Sequence, residues 1–513
     1  MAGKGRKRKT DAAGDAGLLG TTEAARELGV TPATLRRWIT EGRLPAQRVG
    51  KKWRVRRADL RKVVQLQDAA PAEAPPPLQP RQARQSEQQI DKLLSRSGLG
   101  KARAAELAAS VESQVLGSVE QSDPVARRLL AKLLVGAVHA TVSDLHIEPF
   151  ADGVKVRQRI DGALMEAVEL PRELARSMID EVMRWSGMNL NARRVSQNGR
   201  FAVRPMGSEI DVRVNVMPTI YGGVVALRIL DRQVALPALD RLGFEPDQLE
   251  RYRSIIQRPN GLILVTAPTG AGKTTTLYAT LSELNDPSRK ILTAEDPVEY
   301  ALPGINQAAI DESVGFGFRE AAIAMLRQAP NIMFIGEIRG VPTGQLLCQA
   351  ALTGHLVFST LHTDDAVSAV IRLLDMGVEP VLVSSAVACV VGQRLVRLIC
   401  RHCKTEHRPE ERDLDVLRLE GEDRARPVYY GKGCEQCHGT GYRGRTAIYQ
   451  LLEFTPEVRS AVLGQDRDGL AGAARSAGYR SLREVALAKL FRGETTVEEI
   501  VRETCIAGRA QMI

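Results

Sequence analysis

Hydrophobic residues follow two different periods along this chain. Residues 262–265 and 332–335 are short continuous apolar runs bounded by turn residues, which predicts strands buried on both faces. Upstream, residues 154–160 and 210–216 alternate apolar and charged positions, which predicts strands with one buried face. Residues 124–139 repeat apolar positions at helical spacing and predict an amphipathic helix. Strands that alternate with helices indicate the α/β fold class.

Interruptions in this pattern predict the domain boundaries. Residues 1–17 contain Gly, Ala, Lys and Arg without periodicity, which predicts a disordered basic tail. The Ala/Pro-rich stretch after residue 66 predicts a stiff, extended linker. We therefore divide the chain into a tail at 1–17, a small domain at 18–66, a linker and helical segment at 67–117, an α/β domain at 118–235 and a larger α/β domain at 236–513.

A glycine-rich loop follows the predicted strand 262–265 and opens a predicted helix. The order of strand, loop and helix is the context that a phosphate-binding loop requires. Backbone N–H groups of the loop and the positive helix end can bind phosphates. Lys273 is placed to reach the β- and γ-phosphates of a nucleotide, and Thr274 to ligate Mg²⁺. Ala267 stands where the first glycine is usual, and we expect it to fit with a negative φ. The alternative, a glycine-rich turn without a ligand, is disfavoured by the context. The predicted nucleotide-binding residues are Pro268, Thr269, Gly270, Ala271, Gly272, Lys273, Thr274 and Thr275.

Carboxylates and histidines follow the other apolar strands of this domain. Glu295 and Asp296 end one strand, where carboxylates suit the ordering of Mg²⁺ and its waters. Glu337 follows the strand 332–335 and matches a base that polarises the attacking water. His355 and His362 flank a further apolar strand. A lone histidine on a strand is usually structural, but this pair is interpreted as sensing the γ-phosphate or a subunit interface.

Four of the seven cysteines form two C-x-x-C pairs. Cys400 and Cys403 are separated from Cys434 and Cys437 by thirty residues. Tetrahedral Zn²⁺ takes four thiolates, and paired knuckles supply them. The alternatives are a redox pair or a chance spacing of cysteines. We predict a zinc-binding subdomain at 396–450.

Charge is concentrated at the amino-terminal end. Residues 1–66 carry 17 Lys and Arg against six Asp and Glu, whereas the whole chain of 513 residues carries 71 against 61. This asymmetry predicts a polyanion-binding end, with nucleic acid the first candidate. No apolar run approaches a membrane span, and no apolar segment follows the basic start as in a signal peptide. We therefore expect a cytoplasmic protein that meets the membrane only through partners.

Residues 18–66 resemble the winged helix-turn-helix of excisionase and MerR-type DNA-binding domains. The resemblance is carried by predicted helices at 21–28 and 31–42 and by a basic hairpin at 46–55. It implies that Thr34, Arg36 and Arg37 face a major groove. It also implies that Lys51, Lys52 and Arg54 contact phosphates. The alternative is that the fold is reused for protein contact.

The ordered motifs of residues 120–513 resemble the secretion ATPase superfamily, which includes the type II secretion and type IV pilus assembly ATPases. This resemblance implies a RecA-like motor, a preceding α/β domain joined by a short hinge, and a homo-hexameric ring that hydrolyses ATP with Mg²⁺. It implies that the ring acts on platform proteins of the inner membrane. It also implies that arginines of the preceding domain reach the phosphates, a role carried onto Arg157, Arg159, Arg200 and, with less support, Arg213. The four-cysteine insert is typical of the assembly branch.

Several positions depart from the family pattern. Ala329, Asn331 and Gly340 stand where acids are usual, and Asn198 and Gly223 replace an Asp and a Glu. Because we expect three of these lost acids to lie close to the catalytic strand, we predict ATP hydrolysis with slow turnover. Two competing hypotheses remain: a DNA-binding motor or regulator that uses residues 18–66, and a weakly catalytic scaffold ring.

Overall fold

A computed structural model describes residues 18–27, 35, 36, 39, 44–49, 52–56, 78–115, 123–205, 207, 209–231 and 236–504. The predictions for the tail 1–17, for residues 57–77 and for Thr34, Arg37 and Lys51 lie outside these residues. In the small amino-terminal domain, the structure shows β1 (Leu18–Gly20), α1 (Thr21–Glu27), β2 (Gln47–Val49) and β3 (Lys52–Arg56). The strands pair antiparallel in the order β1-β3-β2, so the predicted basic hairpin is confirmed.

The next domain is a six-stranded antiparallel sheet with helices on one face. Its elements are α2 (Pro80–Arg96), α3 (Lys101–Val115), α4 (Pro124–His139), β4 (Asp144–Pro149), β5 (Val154–Ile160), β6 (Ala163–Leu170), α5 (Leu174–Trp185), β7 (Gln197–Val203), β8 (Ile210–Thr219) and β9 (Gly222–Asp231). The strand order is β6-β5-β4-β9-β8-β7. Alternate residues of each strand face the helices, so the other sheet face displays the charged positions.

Helices α2 and α3 belong to the core of this domain. Ile90, Leu94, Leu107 and Val111 pack into the same buried cluster as α4 and the sheet. The buried Lys132 on α4 donates to Asp91 on α2 over 2.7 Å, so the helices are also joined by an ion pair. The described part of the segment that we assigned to linker and helices therefore extends the α/β domain toward the amino terminus, from residue 118 to residue 78.

The larger domain is built on a seven-stranded sheet. Its first elements are α6 (Pro246–Ile256), β10 (Gly261–Thr266), α7 (Lys273–Leu284), β11 (Ile291–Glu295), β12 (Asn306–Ala309), α8 (Phe318–Leu326), β13 (Ile332–Ile335), α9 (Val341–Leu352), β14 (Leu356–Leu361), α10 (Ala366–Asp375), α11 (Pro380–Ala386) and β15 (Val387–Ile399). The order is β12-β11-β13-β14-β10-β15, followed at the edge by β18 (Tyr442–Glu453), and all neighbours up to β15 are parallel. Helices cover both faces, and a hydrophobic cluster fills each side. The carboxyl ends of the parallel strands therefore meet at one edge.

The carboxyl-terminal elements extend from the edge strand β15. They are β16 (Lys404–His407), α12 (Glu411–Val416), β17 (Val428–Gly431), β18 (Tyr442–Glu453), α13 (Pro456–Leu463), α14 (Arg467–Ser476), α15 (Leu482–Phe491) and α16 (Val497–Thr504). Short 3₁₀ helices lie at Leu239–Arg241, Glu312–Val314, Gly421–Ala425 and Glu435–Cys437. Strand β18 pairs antiparallel with β15 and forms one edge of the sheet. None of the helices in the described part of the chain is both long and apolar enough to cross a lipid bilayer.

Candidate functional site

The glycine-rich loop joins the buried strand β10 to the start of α7. Gly270 and Gly272 have φ values of +77° and +84°, which L-residues with side chains rarely adopt. A Cβ on Gly272 would also lie 2.9 Å from Nε2 of Gln393. Ala267 is fully buried and does not have a positive φ, so the expectation for this position is confirmed. The loop thus turns its backbone toward the amino end of α7, where N–H groups can bind an anion.

Lys273 is the first residue of α7 and folds back over the loop. Its Nζ donates to the carbonyl oxygens of Ala267 at 2.7 Å and Pro268 at 3.2 Å, and lies 3.3 Å from Nδ1 of His362. Burial lowers the pKa of Lys273 to about 8, although the charge of Glu337 acts in the opposite direction. A partly buried ammonium with so little compensating negative charge favours an anionic ligand.

Glu337 follows β13 and meets His362, which follows β14. Its Oε2 lies 3.2 Å from Nε2 of His362, and its Oε1 accepts from Nε of Arg339 at 2.5 Å. Lys273, His362 and Glu337 therefore form a contiguous polar chain at the carboxyl edge of the sheet. A cation that can bind phosphate is therefore linked through one histidine to a carboxylate that can polarise a water molecule.

Arg339 holds three carboxylates together at this edge. Besides Glu337, it donates to Asp296 at 3.0 Å and to Glu312 at 2.9 Å. Its guanidinium also lies over the ring of Phe318, 5.0 Å from the centroid. The Glu337 carboxylate raises the pKa of Arg339. Arg339 is not among the residues predicted from the sequence, because the three acids that it joins come from separate segments.

Glu295 and His355 do not join this cluster. The Glu295 side chain is buried and accepts from Tyr278 Oη at 2.5 Å, Thr293 Oγ1 at 2.5 Å and Gln307 Nε2 at 3.1 Å. Burial raises the pKa of Tyr278, and its bond to Glu295 acts in the same direction. His355 precedes β14, whereas His362 follows it, so the strand separates them by about 20 Å. The structure therefore brings Asp296 and His362 to the site, but holds Glu295 in the interior and His355 at the opposite edge.

The departures from the family pattern are divided between the two edges of the sheet. Asn331 precedes β13, and its Oδ1 accepts from the backbone N–H of Lys290 at 2.7 Å. Ala329 lies in the same connection, with a φ of +48°. Both positions are at the amino ends of the strands, away from Glu337. Gly340 is on the catalytic side and is the N-cap of α9. Of the three expected acids, only the one at 340 would lie near the site.

Arginines form a row across the exposed face of the six-stranded sheet. Arg200 pairs with Arg213, Arg213 with Arg228, Arg228 with Asp144, and Asp144 with Arg159. Asp144 accepts from Arg228 at 3.1 Å and lies 3.5 Å from Arg159. Like charges directly opposite each other are unfavourable, and the two acids that contact the row, Asp144 and Glu299, do not balance its four arginines. The row therefore presents a surface for anions. Sequence analysis missed Arg228, although it continues the outward pattern of β9.

The row contacts the larger domain through Arg213. Its Nη2 lies 3.4 Å from the carbonyl oxygen of Val298 and 3.5 Å from a Glu299 carboxylate oxygen, just beyond β11. Arg157 lies two residues before Arg159 on β5 and donates to Glu148 at 2.6 Å. The hydrogen bonds of Arg157 and Arg159 stay within their own domain, the one built on the six-stranded sheet. The partners seen for these two arginines are thus in their own domain and not in the phosphate loop of the same chain.

The four predicted zinc ligands converge. Sγ of Cys400 lies 3.8 Å from that of Cys434, and the Sγ of Cys437 lies 3.8 Å from that of Cys403 and 3.7 Å from that of Cys434. All four sulfur atoms lie within 4.8 Å of one another. A tetrahedral ion with Zn–S bonds near 2.3 Å requires sulfur atoms about 3.8 Å apart. The donor set therefore fits Zn²⁺ in number, chemistry and spacing.

Backbone N–H groups support the charge of the thiolates. Cys434 and Gly441 each donate to Sγ of Cys437 at 3.2 Å. Although burial acts in the opposite direction, these bonds lower the pKa of Cys437 to about 7. A thiolate stabilised in this way is the form that binds a metal.

Comparison with known proteins agrees with this geometry. Residues 119–502 match the family model described as type II/IV secretion system protein, and residues 18–65 match a helix-turn-helix domain. The chain is 40% identical over 426 residues to the type IV pilus assembly ATPase PilB of Thermus thermophilus, covering 82% of this chain and 48% of that one. It is 41% identical over 396 residues to the type II secretion system protein E of Pseudomonas aeruginosa, covering 77% and 78%. It thus spans about half the length of the Thermus protein.

Two solved structures show the same fold. The Legionella pneumophila ATPase DotB has a TM-score of 0.56 at 19% identity, with 75% of this chain and 97% of that one covered. The pilus retraction motor PilT with bound ADP has a TM-score of 0.51 at 23% identity, with 73% and 97% covered. At these identities, the likeness concerns the arrangement of the helices and strands.

Proposed function

The chain belongs to the type II/IV secretion system protein family, and from that premise we propose that it is an ATPase that powers type II secretion or type IV pilus assembly. The observation that carries the proposal is the contiguous chain of Lys273, His362 and Glu337 beside a glycine-rich loop. Each of its residues has a role in phosphate binding or water activation. None of them contributes to a hydrophobic core, so packing alone does not explain the arrangement.

Residues 268–275 would hold the phosphates of ATP, with Thr274 and Asp296 directed toward Mg²⁺. When bound, the metal supplies charge neutralisation of the phosphates. Lys273 would exchange its two loop carbonyl partners for phosphate oxygens. Glu337 would orient the attacking water and accept its proton, while Arg339 holds that carboxylate in place. His362 links the phosphate-binding lysine to the water-activating glutamate.

We propose that the arginine row serves a second subunit. Arg157, Arg159 and Arg200 lie on an exposed sheet face, and the bonds seen for Arg157 and Arg159 remain inside their own domain. Phosphates of a nucleotide bound to a neighbouring chain would satisfy the excess positive charge. This requires a closed ring, and we propose a homo-hexamer, in which each nucleotide is completed by the next chain. Isolated chains would then hydrolyse ATP slowly.

The ring would act at the cytoplasmic face of the inner membrane. Movement of the two α/β domains around each nucleotide would be transmitted to membrane-embedded platform proteins. Zinc at Cys400, Cys403, Cys434 and Cys437 would serve structure, because four protein thiolates leave no open coordination position for a substrate.

Phosphate release by the purified full-length chain with Mg²⁺ and ATP tests the proposal. We expect turnover that rises with chain concentration as rings assemble, and that falls by about 10²–10⁴-fold in Glu337→Gln, the range typical of a lost general base. Glu320→Gln is the matched control, because it makes the same change at an exposed position of α8. Equal turnover of wild type and Glu337→Gln would refute the proposal.

A second candidate activity is the binding of duplex DNA by residues 18–66. The match to a helix-turn-helix domain and the local charge favour it. Arg48 lies over the ring of Trp53, 5.8 Å from the centroid, and Arg54 and Arg56 follow on β3. The test is fluorescence anisotropy with a labelled duplex at several salt concentrations. We expect affinity to fall steeply with salt and to be lost when residues 1–66 are deleted. Unchanged affinity after the deletion would exclude this role.

A further inference from the structure

The turn between β5 and β6 reaches across to the larger domain. Asp161 and Gly162 form this two-residue turn with φ values of +48° and +83°, a combination typical of Asp-Gly hairpins. Oδ2 of Asp161 accepts from the backbone N–H of Gly444 at 2.7 Å, and Oδ1 lies 3.9 Å from Nε of Arg445. The Asp161 side chain is 25% exposed, so the contact is partly shielded from water.

The backbone N–H of Gly444 lies outside the pairing of β15 with β18, because the strand is irregular at this point. In the β15–β18 pair, Arg397 lies opposite Arg445, but Ile399 lies opposite Tyr442, so the register shifts between them. Gly444 occupies the shift with a φ of +80°. A residue in such a bulge is released from the ladder, and its amide needs another acceptor. Asp161 supplies this acceptor as a carboxylate, which makes a stronger bond than a neutral group.

The four-cysteine cluster fixes the strand ends beside this bulge. Cys400 directly follows β15, and its N–H donates to the carbonyl oxygen of Gly441 at 2.9 Å. Gly441 directly precedes β18, and its N–H donates to Sγ of Cys437 at 3.2 Å. A metal held by the thiolates therefore holds both strand ends, and with them the position of the Gly444 amide.

The hairpin that docks here is the one that carries two arginines of the row. Arg159 lies two residues before the turn, and its Nη1 donates to the carbonyl oxygen of Gly162 at 3.0 Å. This hydrogen bond joins the Arg159 side chain to the turn. Arg157 lies on the same face of β5.

We propose that Asp161 is a positioning residue, which docks the arginine-bearing hairpin on the four-cysteine subdomain and so sets the position of Arg157 and Arg159. The inference rests on the proposed role of these arginines at a neighbouring nucleotide. It gives the zinc subdomain a task in catalysis although its metal lies outside the ATP site. Loss of zinc and loss of the Asp161 carboxylate should then have the same effect on the hairpin.

Hydrogen exchange of the full-length chain, followed by mass spectrometry, tests the docking without measuring activity. Asp161→Gly removes the carboxylate and keeps a residue that suits a positive φ, Asp161→Asn keeps an acceptor, and Asp152→Ala at the other end of β5 is the matched control. We expect exchange at Gly444 to rise at least about tenfold in Asp161→Gly, less in Asp161→Asn, and not in Asp152→Ala. The Cys400→Ser/Cys403→Ser variant should raise exchange in residues 158–163 but not in β7. Unchanged exchange in Asp161→Gly would overturn the docking.

Steady-state ATP hydrolysis by the same variants tests the positioning role. We expect Asp161→Gly to lower kcat about tenfold with KM for ATP unchanged, and Asp161→Asn to restore most of it. Altered exchange with unchanged kcat would overturn the positioning role. A wild-type chain without turnover would instead refute the proposed ATPase function, while the exchange measurement would still decide whether Asp161 docks the hairpin.

Discussion

Restoring the lost acids at 329 and 331 should leave ATP turnover unchanged. The double variant Ala329→Asp/Asn331→Asp returns both carboxylates found in the family pattern. Both positions precede β13, whereas Glu337 follows it. Four strand residues separate the two edges by about 13 Å. We therefore expect the family's acids at these positions to serve the fold of the 327–331 connection.

The electrostatic effect at that distance is small. A unit charge about 15 Å away in water contributes roughly 0.3 kcal/mol, and salt at physiological strength reduces this several-fold. Such an energy changes a rate by less than about twofold. The amide of Asn331 already accepts the Lys290 N–H, so the variant adds no new backbone contact.

The assay is steady-state phosphate release at saturating Mg²⁺ and ATP, with zinc content and oligomeric state matched between variants. Gly340→Asp is the informative companion, because it places a carboxylate on the catalytic edge at the N-cap of α9. An increase of tenfold or more in kcat for the 329/331 variant would refute the reasoning that separates the two edges.

Three further outcomes follow from individual contacts. Ala329→Gly should raise the melting temperature of the larger domain, as measured by differential scanning fluorimetry. Glycine removes the strain of a left-handed alanine, about 1–2 kcal/mol, which exceeds the cost of the added backbone entropy in the unfolded chain, roughly 0.5–1 kcal/mol. A lower melting temperature would contradict this reasoning. Zinc measured by plasma emission should be near one per chain and be lost in Cys400→Ser/Cys403→Ser, and retention of the metal would exclude this ligand set. ATP affinity, followed with a fluorescent analogue, should fall as pH rises past about 8, because Lys273 of the free protein then loses the proton that phosphate binding requires. Lys273→Arg should flatten this pH dependence, and an unchanged profile in that variant would assign the titration to another group.

Local signals in the sequence predicted the parts of the site that depend on one segment. The phosphate loop follows from glycine spacing between an apolar run and a helix, and Glu337 and His362 follow from the rule that parallel strands end at one edge. The pattern predicts the strand between His355 and His362, but it does not show which end of that strand lies near the phosphate loop. The structure places His362 at that end and His355 at the other. The sequence pattern places Glu295 at the end of a strand but does not show that its carboxylate is buried, because its partners Tyr278 and Gln307 come from other elements of the fold.

Contacts between distant segments were beyond the reach of the sequence pattern. The arginine row depends on strand register, which fixes Arg228 opposite both Arg213 and Asp144. The Ala-rich helical pattern of the linker and helical segment at 67–117 predicts helices there, but does not show that α2 and α3 belong to the α/β domain. Their burial depends on the groove formed by α4 and the sheet, which no local pattern describes.

The four-cysteine subdomain extends from the β15–β18 hairpin and adds no strand to the middle of the seven-stranded sheet. Both of its connections are the neighbouring strands β15 and β18, which already pair through Arg397 and Arg445 before the cysteines begin. Evolution could therefore gain or lose the insert by lengthening or shortening one loop, without changing the order of the seven strands. A chain shortened to a two-residue turn after Arg397 would keep its nucleotide site but would lack the Gly444 N–H that Asp161 contacts.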